Sequence, residues 1–293
     1  MTQKFEFDIM DSAGYGYYRV WVERAYLFKL LLIPFLIKLA CTISVLVLGY
    51  ENNILRQGLI LLPGDLAMGW VLAQYLRTLL KNERWPTVLP IDMDEKILDQ
   101  LLLRARGIVA STLSYVLIAL AAYVLRYSMF GQFSGDASGT PEDGMETILS
   151  ATDSKTPIDI NPLFFIPLAV GGVALFWLFR LMWVYIPFSV LMPLNAYLKA
   201  LGGFMASFRM MALFFCSMAP VMFITVMLSR VVFNILGGGS EGGGDVSQFL
   251  VVLLAVMAEM LVALVTTGSF VWAMREFLPK HPDALKELPK LGE

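Results

Sequence analysis

Histidine is all but missing from this chain: the one present, His281, lies in the C-terminal tail. That excludes a histidine-rich metal site in the apolar part of the sequence and leaves Gly268-Ser269 without a histidine general base. Cysteine is scarce as well. Cys41 and Cys216 fall in separate apolar runs, which argues for small packing residues rather than a disulfide or a zinc site. Charge is thin: Asp, Glu, Lys and Arg make up 16% of the residues and the net charge is −2, whereas a soluble domain averages about 25% charged residues. Such a balance leaves no basic footprint for nucleic acid. A nucleotide-binding G-x-x-x-x-G-K-[ST] loop is absent. The expectation is therefore no cofactor, no metal, no nucleic-acid partner and no catalytic constellation.

What is there is grease. Hydrophobic residues form 58% of the chain, above the 45–50% or so of soluble domains. Six apolar runs stand out, over residues 30–50, 54–76, 107–127, 162–185, 210–236 and 247–274. A helix needs about 20 such residues to cross a hydrocarbon layer of about 30 Å. The sequence predicts an all-α integral membrane bundle of six transmembrane helices in three hairpins, forming one membrane domain, with the lipid bilayer as its surroundings. No cleavable leader is expected, because the first run is too long for a signal core and lacks a small-residue cleavage site.

Between the runs lie segments of three kinds. Gly14–Lys29 carries Tyr18, Trp21, Val22, Ala25 and Phe28 at helical spacing. It reads as an amphipathic helix on the membrane surface or as an extended start to the first span. Asp92–Leu103 puts Ile97, Leu98, Leu101 and Leu102 on one side, with Asp92, Asp94 and Glu95 at its start. A third amphipathic piece follows Asn195, a candidate N-cap, with Tyr197, Leu201, Phe204, Met205 and Phe208 on one face. These three are expected at the cytosolic interface. Residues 128–161, rich in glycine and acids with Lys155 as the one base, read as a flexible outer loop, and residues 275–293 as a short cytosolic tail. In span three, Ala110 and Ser114 form a small-xxx-small pair.

Lysine and arginine set the orientation. The stretch before span one holds four, the connection between spans two and three six, the connection between spans four and five two, and the tail four. The remaining connections hold Lys155 and the borderline Arg56. By the positive-inside rule both termini face the cytoplasm.

Five charged residues interrupt the runs: Lys38, Asp65, Glu259, Arg180 and Arg230. Lys38 lies 14 residues before Asn52 and Asp65 13 after it, so two antiparallel helices would bring them to one depth. Glu259 sits near the middle of span six. Arg180 and Arg230 lie nearer the span ends, where long side chains can snorkel outward. Charges inside a membrane are costly and mark functional positions by default. Two acids and one base leave one carboxyl over, which is neutralised more cheaply by a proton than by burial as an anion. That group could carry protons or tie helices together as a neutral acid.

Three units of similar design, each a surface-type helix, a span, an outer turn and a returning span, begin near residues 8, 92 and 193. The Pro-x-[Asp/Glu]-x-x-[Lys/Arg] signature of mitochondrial carriers is absent: Pro34 is followed by Lys38 with no acid in place. The segment Gly69–Pro86 (GWVLAQYLRTLLKNERWP) resembles the span exits of uncharacterised bacterial multi-pass inner-membrane proteins. The resemblance covers about a sixteenth of the chain, implies a bacterial inner (plasma) membrane and says nothing about chemistry. Two functions follow as expectations. The first is a non-enzymatic membrane component that docks a protein partner at the cytosolic face through its amphipathic helices. The alternative is a small permease, proton-linked, using Lys38, Asp65 and Glu259.

Overall fold

The computed structural model describes residues 7–50, 53–85, 95–130, 176, 179–236 and 243–279. Every long element among them is a helix. α1 spans Ile9–Val22, α2 Arg24–Val47, α3 Ile54–Lys81 and α4 Glu95–Phe130. A 3₁₀ turn, Phe179–Trp183, leads into the short α5, Tyr185–Ser189, and α6, Leu194–Ala200. α7 spans Phe204–Leu236 and α8 Gly243–Ala273. Five of these helices, α2, α3, α4, α7 and α8, are long and apolar enough to cross a membrane. The chain is thus an all-helical, polytopic membrane-type protein. Of the expected fourth span, residues 162–175, 177 and 178 lie outside the described residues, as do residues 131–161 of the loop expected over 128–161, whose first three residues instead end α4. The described end of that run departs from a regular span: it turns as a 3₁₀ segment and passes into the five residues of α5.

The caps explain where helices start and stop. Asp8 opens α1 by accepting from the Met10 and Asp11 amides at 2.8 and 3.1 Å. Asn53 does the same for α3, accepting from the Arg56 amide at 3.2 Å. At its far end α3 stops on Asn82 in the left-handed region, φ 54°, a conformation asparagine tolerates better than most residues.

α3 is the most sheltered of the five, packing against α2, α4, α5 and α8. Leu72, Tyr75, Leu76, Leu79 and Leu80 are fully buried there, and the polar Gln74, Arg77 and Thr78 are buried beside them. A helix shielded from lipid by its neighbours can hold such polar groups where protein atoms satisfy them, as the Ser189 carbonyl does for Arg77 and the Gln74 and Glu83 carbonyls do for Thr78. Contacts along α2 and α3 run antiparallel: Lys38 meets Asp65 and Tyr26 meets Thr78. Beyond their ends Glu23 takes two bonds from Arg84 at 3.0 and 3.1 Å. Glu83 accepts from Arg77 Nε at 2.9 Å and pairs with Arg104 at 3.4 Å, so one exit loop ties α2, α3 and α4 together.

The three amphipathic segments fare differently. α1 is separate from α2, broken at Glu23. Its inner face is not the one that carries Trp21 and Val22. Ser12, Ala13, Tyr15 and Gly16 are buried against α8 while Trp21 and Val22 stay exposed. Residues 95–103 form no separate surface helix; they are the first turns of the continuous 36-residue α4, which at 1.5 Å per residue is about 54 Å long and outruns the hydrocarbon. The third piece breaks at Gly202-Gly203, where Gly203 takes φ 112°. Tyr197 and Leu201 are therefore buried while Phe204, Met205 and Phe208 turn outward. Pro193, not Asn195, is the cap residue of α6. On α4 the fully buried small residues are Gly107 and Ser111 rather than Ala110 and Ser114, and the Ser111 hydroxyl donates to the Tyr185 carbonyl at 2.9 Å.

Candidate functional site

Three helices bring charge to one point. Lys38 of α2 projects between Asp65 of α3 and Glu259 of α8. Its Nζ lies 2.5 Å from Glu259 Oε1 and 3.4 Å from Asp65 Oδ1. The approach depends on Gly64, whose missing side chain lets α3 lie on the Lys38 backbone: a Cβ there would stand 3.2 Å from Lys38 Cα. Pro63 precedes it inside α3 and Pro34 lies one turn before Lys38 inside α2. Each proline removes a backbone N–H bond and permits a local bend, which is usual in membrane helices.

The two acids are unequal. The Asp65 side chain is 5% exposed and that of Glu259 55%. Asp65 Oδ2 is buried and accepts no hydrogen bond from any described residue. Glu259 stands on the outer side of α8, flanked by the exposed Met257 and Leu261. Lys38 is buried with Asp65 and reaches sideways to Glu259. The expectation of one base paired with one acid is thus replaced by one base shared between two acids. With every group ionised the centre carries a formal charge of −1, and a single proton makes it neutral.

Tyr115 of α4 completes the surroundings. Its ring packs beside Gly69, meets Tyr185 edge-on at 5.7 Å, and lies within electrostatic reach of both Asp65 and Glu259. The Tyr185 hydroxyl shares a hydrogen bond with Thr267 at 2.8 Å. Neither tyrosine was expected at the site. A tyrosine within an apolar run has no local signature that tells a core position from a site position.

The two arginines part company. Arg230 is exposed, as its place near a span end suggests. Arg180 does not reach outward. It is buried, and its Nη1 donates to the Leu201 carbonyl at 2.7 Å, while the Tyr197 hydroxyl donates to the Arg180 carbonyl at 2.9 Å. The end of α6 leaves backbone carbonyls without helical partners, and a guanidinium satisfies one of them better than solvent at a distance. Arg180 belongs to this clamp, away from the three-charge centre. Cys41 and Cys216 are free thiols, and among the described residues no three His, Cys, Asp or Glu side chains converge as a metal site would require.

No known protein family, curated protein or solved structure matches this chain.

Proposed function

We propose that this polytopic protein is a small proton-linked permease whose proton-binding centre is Lys38, Asp65 and Glu259. The observation that carries the reading is the position of Lys38 Nζ between the two carboxylates. Ionised, Glu259 is held against Lys38. Protonated, it releases Lys38 to Asp65 and can face lipid without charge. The centre thereby has two arrangements of similar composition that differ by one proton, and helices α2, α3 and α8 each own one of its parts. A proton taken up on one side could bias their packing, which is how ligand binding shifts a bistable element. The proposal sets the chain in a bacterial inner membrane with both termini cytoplasmic, on the asymmetry of lysine and arginine between its connections.

The test uses the full chain in proteoliposomes with a pH-sensitive dye inside and an imposed pH gradient. Amino acids, sugars, nucleosides and organic cations are offered as separate solute classes. One class drives proton movement in the wild type, and Asp65→Asn and Glu259→Gln abolish it while inserting normally. Movement that persists in both variants overturns the reading.

A second reading is a partner-docking component. It is favoured by Phe204, Met205 and Phe208 at the start of α7, which stay more than half exposed although the Phe176 ring packs against Phe204 at 4.5 Å. Its test is crosslinking from Phe208 in intact membranes, which yields a defined heterologous adduct if the reading holds.

A further inference from the structure

A groove of about 560 Å³ opens between α2 and α7, with α8 as its floor and α1 across one end. Its walls are apolar, from Leu27, Leu31 and Phe35 on one side to Val221, Ile224 and Leu228 on the other. Polar groups occur almost only at the α1 end, where Tyr17 and Arg24 enter the lining. Thr225 lies deeper but spends its hydroxyl on the Val221 carbonyl of its own helix.

Three features of the α1 end fit a headgroup. Arg24 is exposed, and no described carboxylate lies within ion-pair distance of it. Its guanidinium sits 4.5 Å above the Trp21 ring, itself 68% exposed, and tryptophan favours the boundary between headgroups and hydrocarbon. From Arg24 to Phe35 the wall runs eleven residues of helix, about 16 Å, close to one leaflet of a hydrocarbon layer about 30 Å thick. The groove is thus apolar, one leaflet deep and positively charged at the headgroup level only.

We infer that this groove is a seat for one anionic phospholipid, with an acyl chain between α2 and α7 and its phosphate at Arg24. Arg24 supplies a charge-assisted donor fork suited to phosphate oxygens. α1 closes the end of the groove because Gly16 allows it to lie directly on α8: a Cβ at Gly16 would collide with Ser269 Oγ and the Val265 carbonyl. The seat makes no use of the Lys38 centre, and either can stand without the other.

The experiment embeds the full chain in nanodiscs of equal phosphatidylglycerol and phosphatidylcholine, then releases it in mild detergent for native mass spectrometry. The wild type retains one lipid, with phosphatidylglycerol favoured roughly fivefold, as one basic group near a membrane surface provides. Arg24→Gln, a change at an exposed position, keeps the retained lipid but brings the headgroup ratio close to one. Ala258→Phe, which fills the groove from its floor, lowers lipid retention with the headgroup ratio of the residual fraction unchanged. A wild type that retains no lipid above the bulk composition overturns the seat, as does an unaltered headgroup ratio in Arg24→Gln. Photocrosslinking from Leu31 that captures a protein segment instead of lipid overturns it too.

Discussion

Gly64 lies against the backbone of Lys38, so that a side chain at position 64 would meet Lys38 Cα at 3.2 Å. The contact holds α2 and α3 close enough for the lysine to reach Asp65. Gly64→Leu adds bulk where neither helix can yield without shifting. The expected cost is about 1–3 kcal/mol of stability, the usual range for overpacking, read as a lower midpoint of thermal unfolding in detergent. The same variant lengthens the distance between labels placed on the two helices.

Removing Lys38 leaves the buried Asp65 and the half-exposed Glu259 without their shared cation. Breaking a buried ionic group from one side is costly, about 3–5 kcal/mol, whereas removing all partners together is far milder. Lys38→Met alone should therefore unfold at a markedly lower temperature. The triple variant Lys38→Met/Asp65→Asn/Glu259→Gln should recover most of the loss. Equal stability of single and triple variants would show that the three groups do not act as a unit.

α1 docks through Tyr15, which stacks on Trp272 with ring centroids 4.3 Å apart. Burial pushes the Tyr15 hydroxyl up to about 12, against the favourable pull of Arg19 and with smaller upward contributions from Tyr18 and Glu23. An undocked Tyr15 ionises near its ordinary value of about 10. The docked state is thus fully favoured below pH ~10 and loses that advantage as pH rises towards ~12. Limited proteolysis of the N-terminal segment should accelerate over this window, and Tyr15→Phe should flatten that part of the profile.

Arg180 and Tyr197 form a reciprocal clamp between the 3₁₀ turn and α6. Arg180→Met leaves the Leu201 carbonyl without its guanidinium donor. A hydrogen bond to a charged group is worth about 1.5–3 kcal/mol, and a loss of that size should appear in chemical unfolding with proton movement through the centre unaffected. A variant that moves protons abnormally would instead join Arg180 to the functional site.

Much of this architecture is legible in the residue order. Long apolar runs announce α2, α3, α4, α7 and α8 because lipid tolerates little else, and the nearly equal spacing of Lys38 and Asp65 from Asn52, 14 and 13 residues, foretells their meeting. Glu259 sits near the middle of its apolar run, but its sharing of Lys38 depends on the rotation of α8, which sequence distance does not encode. The inward turn of Arg180 is not legible in the residue order, because snorkelling and carbonyl capping use the same side chain. On α1, Trp21 and Val22 suit lipid and stay outside, whereas Gly16 and Ser12 are buried because helix contacts in membranes favour small residues, a distinction that apolar spacing alone does not make. The breaks at Glu23 and Gly202-Gly203 also decide which face of each amphipathic stretch turns inward.

The most direct measurement of the central claim is infrared difference spectroscopy of the reconstituted protein across a pH step, in the carboxylic-acid carbonyl region. The account predicts one protonated carboxyl band that appears and vanishes with pH, and that is lost or strongly shifted in both Asp65→Asn and Glu259→Gln, because Lys38 couples the two acids. A spectrum with no titrating carboxyl band, or one unchanged by either substitution, would contradict it.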